Sequence, residues 1–347
     1  MKTAGIIKIV IGGVLALLLL SVTLGLFLGR GLGTSLAESG VLHIRGGEDG
    51  QSLLTPAPTA IPAPTESGAQ PQEDAKAAGG RADAADGSYR IDPAQLSELE
   101  IDWIAGDVEI VAGTGQEIVL TETSDSELTE SQTMRCRLSG GKLQVEYCDN
   151  LRNVWQWFLG GSYNMPSKSL RVELPASAAA TLRELDIETV SANVLVSTNC
   201  GRSLDVESVS GSVRYEGLDM NELSVTTVSG DIGIVGCTAD ELDVECVSGD
   251  VTAGGSYGKL DAESTSGDIE LSSDAVPREV EASTVSGRIT LYLPRDAGFT
   301  ARLETVSGEL TSEFSVVMAS NRLTSGDGAC RCSFESVSGD VEIRIGG

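Results

Sequence analysis

The sequence predicts an all-β protein: a single-stranded parallel β-solenoid with coils of about nineteen residues, preceded by one transmembrane helix and a disordered linker. Three observations lead there. A Val-Ser-Gly motif recurs at near-constant spacing through the C-terminal half. An uncharged apolar run crosses residues 9–29, and a Pro, Ala and Gly-rich stretch separates the two.

The apolar run reads IVIGGVLALLLLSVTLGLFLG, long enough to cross a hydrocarbon core of ~30 Å as a helix. Lys2 and Lys8 precede it and Arg30 follows, so the basic bias keeps residues 1–8 in the cytoplasm and sends the rest outside. The expected location is therefore the cell membrane, single-pass, with the solenoid extracytoplasmic. A cleaved signal peptide is the rival reading, with small residues around Ala37, but the apolar run exceeds a typical signal core. Residues 30–90 hold Pro56, Pro58, Pro62, Pro64 and Pro71 and almost no large apolar side chain, so they cannot bury a core and read as a stalk.

Residues 91–347 form the solenoid domain, with an irregular part at 91–180 and regular repeats at 181–347. The repeats open at Leu185, Leu204, Leu223, Leu242, Leu260, Val280, Ala301 and Cys332. The residues that follow the motif serine, Ala192, Gly211, Gly230, Gly249, Gly267, Gly287, Gly308 and Gly339, are spaced 19, 19, 19, 18, 20, 21 and 31 apart. A short fixed period of this kind marks stacked supersecondary units. Val, Thr and Ser dominate each unit with period-two alternation, and the Ser-Gly step stops any helix, so the units are strands. Stacked at ~4.8 Å, each strand acquires hydrogen-bonding partners above and below, and coils are expected to stack in chain order. The glycine at each corner is expected to supply a positive φ.

Stacking turns repeat positions into columns. One is serine, from Ser191 to Ser338, read as structural because no His or Lys recurs beside it to accept a proton. A second is acidic: Glu188, Glu207, Glu245, Glu263, Glu304 and Glu335, interrupted by Thr226 and Ser283, with Asp231, Asp250, Asp268 and Asp340 after the corner. Like charges at that spacing repel unless water, a cation or a basic partner lies against them. Calcium would need several convergent carboxylates, and the chain lacks the GGxGxDxUx nonapeptide of calcium-loaded β-rolls.

Cysteine adds little: seven is odd, so no complete disulfide framework exists. Cys246 takes a small inward position, Cys330 and Cys332 face one side of a strand, and Cys136 with Cys148 could pair if the hairpin register allowed. Mostly free, buried thiols are expected.

Before the regular coils, Leu99 to Ile110 follows the same grammar, with Ala105-Gly106-Asp107 standing for Ser-Gly-Asp. Trp155, Trp157 and Phe158, with Tyr163, then concentrate aromatic area in one loop. Two readings stand: a cap over an open solenoid end, or an exposed patch that docks on a sugar, a membrane or a protein.

Charge and histidine count remove whole classes. Net charge is −27, and the first thirty residues hold three basic and no acidic residues, so the remainder carries −30. No nucleic-acid partner is expected of such a chain. His43 is the sole histidine, so triads and zinc clusters lack their central residue. No catalytic residue, cofactor or metal site is expected.

The IDWIAGDVEIV opening, the GGKLQVEY hairpin, the RVELP and LYLP strands and the ordered VSGD coils together resemble the bacterial "putative adhesin" family of β-strand-repeat envelope proteins, whose function is unknown. The resemblance covers about Ile91 to Gly347. It implies an envelope protein, often membrane-tethered, and carries no catalytic residue.

The expected function is a non-catalytic interaction, adhesion or envelope-scaffolding surface. Candidate surface residues are Trp155, Trp157, Phe158, Glu188, Glu207, Glu245, Glu263, Asp231, Asp250 and Asp268. Partners would be the membrane and a cell-envelope protein, glycan or cationic peptide, with end-to-end self-association open. The alternatives are a stress sensor that binds cationic peptides on the acidic face and, further off, a polysaccharide-active β-helix enzyme.

Overall fold

A computed structural model describes residues 82–83, 88–148, 166–319 and 322–346. The expected membrane span, the cytoplasmic N-terminus, most of the stalk and the aromatic loop at Trp155, Trp157, Phe158 and Tyr163 lie outside the described residues. Among the described residues, no helix is long and apolar enough to cross a membrane.

The strands are β1 (Ala82–Asp83), β2 (Ser88–Ile91), β3 (Glu98–Ala112), β4 (Ile118–Ser124), β5 (Arg135–Ser139), β6 (Lys142–Glu146) and β7 (Lys168–Leu174). A short helix α1 (Ala176–Thr181) leads to β8 (Glu184–Val196), β9 (Ser203–Ser208), β10 (Val213–Glu216), β11 (Asp219–Ser229), β12 (Ile232–Ser248) and β13 (Val251–Ser266). The last group is β14 (Ile269–Ser273), β15 (Glu279–Ser286), β16 (Ile289–Leu293), β17 (Phe299–Ser307), β18 (Leu310–Ser312), β19 (Val317–Ala319), β20 (Arg322–Ser325), β21 (Cys330–Ser338) and β22 (Val341–Ile345).

Register makes the solenoid explicit. Leu99, Leu185, Leu204, Leu223, Leu242, Leu260 and Val280 pair in succession along parallel strands. All seven are buried, as are Ile187, Val206, Val225, Val244 and Ala262 two residues on, so alternation aims one side of every strand at a continuous core. Ala105, Gly106 and Asp107 pair with Ser191, Ala192 and Asn193, which makes β3 a rung of the same series.

The stacking order departs from chain order at both ends. β3 lies between β8 on one side and β6 and β7 on the other, although β6 and β7 come later in the chain. At the far end β21 pairs with β15 and with β17, so the last coil of the sequence sits inside the last but one. The 31-residue spacing before Gly339 is the chain needed to reach back past β17. Antiparallel strands flank the outermost parallel ones: β5 on β6, β4 on β7, and β20 on β17. Capping by the chain's own hairpins leaves fewer open edges.

The corner glycines are required by proximity more than by dihedral angle. A Cβ on Gly230 would lie 2.3 Å from the Gly211 carbonyl oxygen, and one on Gly339 would lie 1.9 Å from that of Gly287. Gly106 and Gly267 do take the expected positive φ, +102° and +143°, whereas Gly230 and Gly339 do not. Adjacent corners stack backbone on backbone, which leaves no room for a side chain at these glycines, although Ala192 holds the same place in its own coil.

All seven cysteines are free thiols. Cys136 stands opposite Val145 in the β5–β6 hairpin, so that register does not pair it with Cys148. Cys246 pairs with Thr227 and Ser264 in the small inward column, and Cys330 and Cys332 approach at 3.6 Å between sulfurs.

Candidate interaction face

Outward positions of β8 to β15 place acidic residues side by side. Glu188 and Glu207 are register partners, as are Glu245 and Glu263, with Thr226 between the two pairs. Two residues earlier a second column runs through Asp186, Asp205, Ser224, Asp243, Asp261 and Glu281. The sequence reading missed this second column, although its signal is visible as the aspartate of L-D-V-E. Alternation puts both on one face of the sheet.

The two ends of that face differ. Glu100 and Asp102 are buried and Glu188 is fully buried at 0% exposure, so Glu188 does not belong to an accessible surface. From Asp243 onward the face is open: Asp243 and Glu281 are exposed, and Glu245, Asp261 and Glu263 half-buried. Within this stretch Lys259 supplies positive charge, 3.4 Å from both Glu241 and Asp261 and 3.8 Å from Glu281. Loss of water where the carboxylate lies against the packed stack, then neighbouring carboxylates, push Asp243 up to about 6 although its outer side is open, and push half-buried Glu245 up to about 7. Glu263 and Glu281 are raised for the same reasons.

Asp231, Asp250 and Asp268 sit elsewhere, on the corner, and each has a structural task. The carboxylate of Asp231 accepts a hydrogen bond from the Asp250 backbone N–H at 3.1 Å, Asp250 accepts from Asp268 at 3.0 Å, and Asp268 from Arg288 at 2.8 Å. These aspartates tie one rung to the next at a point where the strand ladder breaks to turn.

Beyond Glu281 the face becomes mixed in charge, because Glu335 and Glu304 carry the glutamate column on. Ser333 and Arg302 continue the aspartate column, and Arg331 follows Glu279 in the adjoining one. A groove of about 320 Å³ there is lined by Arg302, Arg322 and Arg331 together with Glu279 and Glu281. Arg331 is held 3.1 Å from Glu279, and Arg302 pairs with Glu304.

A second cluster, also missed, lies at the opposite end. Lys168 is buried at 2% exposure, and its Nζ donates to Glu122, to the Gln132 carbonyl at 2.6 Å and to the Tyr147 carbonyl. The ammonium stands 4.0 Å from the Tyr147 ring centroid, and Trp103 donates its indole N–H to the Lys168 carbonyl at 3.0 Å. Burial pulls the lysine below its ordinary value while Glu122 opposes it. Lys168 shares its parity with inward-facing Leu170, Val172 and Leu174, and that was the available signal. Every donor is satisfied by a fixed acceptor, so the cluster ties β7 to β4, to the loop before β5 and to the segment just after β6.

The chain matches the Toastrack family, DUF4097, over residues 96–344. It is a member of that family. The Toastrack match spans the region from Leu96, just before β3, to β22, the same rungs that register defines. Among solved structures, a "putative adhesin" from Parabacteroides distasonis ATCC 8503 is similar at 11% identity, over 74% of this chain and 95% of that one, with a TM-score of 0.43. A "putative lipid binding protein" from the same organism is similar at 16% identity, over 75% and 96%, with a TM-score of 0.40. A "putative adhesin" from Bacteroides fragilis NCTC 9343 is similar at 12% identity, over 74% and 94%, with a TM-score of 0.36. No curated protein matches the chain.

Proposed function

We propose that this Toastrack protein is a non-catalytic interaction module of a cell envelope, held at the membrane by residues 9–29 and displayed outside on a stalk. The observation that carries the reading is the open acidic stretch of Asp243, Glu245, Asp261, Glu263 and Glu281, with Lys259 set among them. A rigid parallel sheet presents carboxylates at a repeat near 4.8 Å, which suits a partner with several positive charges. That partner is a basic segment of an envelope protein or a cationic peptide. The carboxylates follow the repeat as ladders, broken only by small hydroxyl residues such as Ser224 and Thr226, which supports binding over acid–base chemistry.

The test is binding of an oligolysine peptide to the full chain in detergent, at low and at high salt. Binding at low salt that is lost at high salt, and weakened about tenfold by Asp243→Asn, Glu245→Gln, Asp261→Asn and Glu263→Gln together, is the expected result; tenfold is about 1.4 kcal/mol. Binding indifferent to salt and to these changes sinks the acidic-face reading and moves attention to Trp155 and Trp157. Topology is tested separately: a membrane-impermeant thiol reagent on intact cells should label a cysteine introduced in the stalk. Labelling only after lysis overturns the external placement.

A further inference from the structure

Exposed apolar surface gathers at the far end of the stack. Val317 and Met318 are 72% and 71% exposed, the two most exposed large apolar side chains of the described residues, and both belong to β19. Among the described residues β19 has one ladder, antiparallel to β20, so its other edge is open. Native sheets seldom leave an apolar edge strand without a partner. Register divides what lies behind that edge into two sides, because cross-strand partners point to the same face. Met318 stands opposite Leu323, and Ala319 opposite Arg322. The Met318 side opens on a cavity of about 200 Å³ whose walls include Leu303, Leu310 and Leu323, and an apolar cavity of ~150 Å³ is enough for a benzene ring. The Arg322 side opens on the groove that Arg322 shares with Arg302 and Arg331. Arg302 and Arg331 have glutamate partners, whereas Arg322, which borders both recesses, has no carboxylate partner among the described residues.

We propose that the open edge of β19 binds an extended peptide by strand addition, with one apolar side chain of the peptide over the cavity and the acidic residues beside it on Arg322. Successive residues of a strand point to opposite faces, so a strand paired with β19 offers alternate residues to the cavity and to the arginine. Ala319 lies between Arg322 and the added strand, and its methyl leaves the guanidinium room to reach across. Main-chain hydrogen bonds supply the affinity in such an addition, and the pockets supply the choice of sequence. Other occupants fit less of this end. A lipid surface would cover Val317 and Met318 but cannot satisfy the N–H and C=O groups of the edge. A second copy joined β19 to β19 offers Arg322 no carboxylate, since the strand is Val-Met-Ala. The peptide is opposite in charge to the partner proposed for the carboxylate face, so the two sites are independent.

The test is fluorescence anisotropy of a labelled peptide, Val-Asp-Leu-Asp-Val, with the full chain in detergent. Saturable binding is expected, with Val-Val-Leu-Asp-Asp, the same residues without the alternation, bound about tenfold more weakly. Arg322→Glu should weaken binding about tenfold, and Arg214→Glu, at an exposed arginine in the middle of the stack, should leave it unchanged. Methylating alternate backbone nitrogens of the peptide should abolish binding for one of the two alternate sets, the one that faces β19, and this readout leaves the protein intact. No saturable binding, equal binding of both methylated sets, or indifference to Arg322→Glu overturns the proposal. Bimane attached at Met318→Cys, in the full chain reconstituted into liposomes, should shift to the blue on addition of the peptide. A shift produced by phosphatidylglycerol without peptide assigns the edge to the membrane and overturns the proposal as well.

Discussion

Val280 and Ala301 fill the same inward position in consecutive coils of the sequence, yet they are not neighbours: Cys332 lies in register between them. The last coil thereby acquires two ladders where a terminal one has a single ladder. In a stacked array, stability is roughly a sum of rung and interface contributions, so an inner rung carries more of it than an outer rung.

Phe334 tests that weight. It is fully buried between Ala282 and Leu303, so Phe334→Ala leaves a cavity that rung geometry cannot close, at a cost of about 3–5 kcal/mol. Leu303→Ala on the outermost coil should cost less, because Leu303 already borders a cavity of about 200 Å³ at the solenoid end. Urea denaturation of both variants, compared by midpoint at equal slope, ranks them.

Two glycines three residues apart should respond differently to alanine. Gly230→Ala drives a methyl into the Gly211 carbonyl, whereas a Cβ on Gly233 meets nothing within 4 Å. The first should lose about 1–3 kcal/mol as an overpacked site, and the second should stay within about 0.5 kcal/mol of the parent. Equal melting temperatures would mean that the corners part easily.

The acidic face makes stability depend on pH with a definite sign. Asp243 and Glu245 are raised to about 6 and about 7. Between the ordinary carboxylate range and pH 7, the folded state keeps protons that the unfolded chain has released, so stability falls as pH rises through that window. The melting temperature at pH 5 should exceed that at pH 8. Asp243→Asn with Glu245→Gln should raise the value at pH 8 and flatten the difference; a steeper slope in the double variant would contradict the assignment.

Lys168 and Glu122 should behave as a pair. Removing either alone strands a buried partner, and Lys168→Met should cost about 3–5 kcal/mol. Lys168→Met combined with Glu122→Leu should cost less than the two single losses added together, measured as a double-mutant cycle.

The candidate face was partly legible from the repeat. The glutamate column and its register could be read from L-x-V-E, because period-two alternation fixes which side chains share a face. The burial of Glu188 could not, since it depends on where in the stack a rung lies. Lys168 was passed over because one cation within an alternating strand looks like an exposed edge residue until Tyr147 and Glu122 are seen to meet it.

By itself, the sequence determined that this chain folds into stacked β coils, which side of each strand faces the core, and where the corners fall. Each of those follows from local alternation and from a Ser-Gly step that repeats. Only the tertiary structure decided which coil lies beside which. Val280, Ala301 and Cys332 satisfy the same column equally well, and a ladder hydrogen bond is indifferent to chain order. The choice fell to features that act between rungs: Phe334 filling space beside Ala282, and a β20 hairpin strand closing the outer edge of β17.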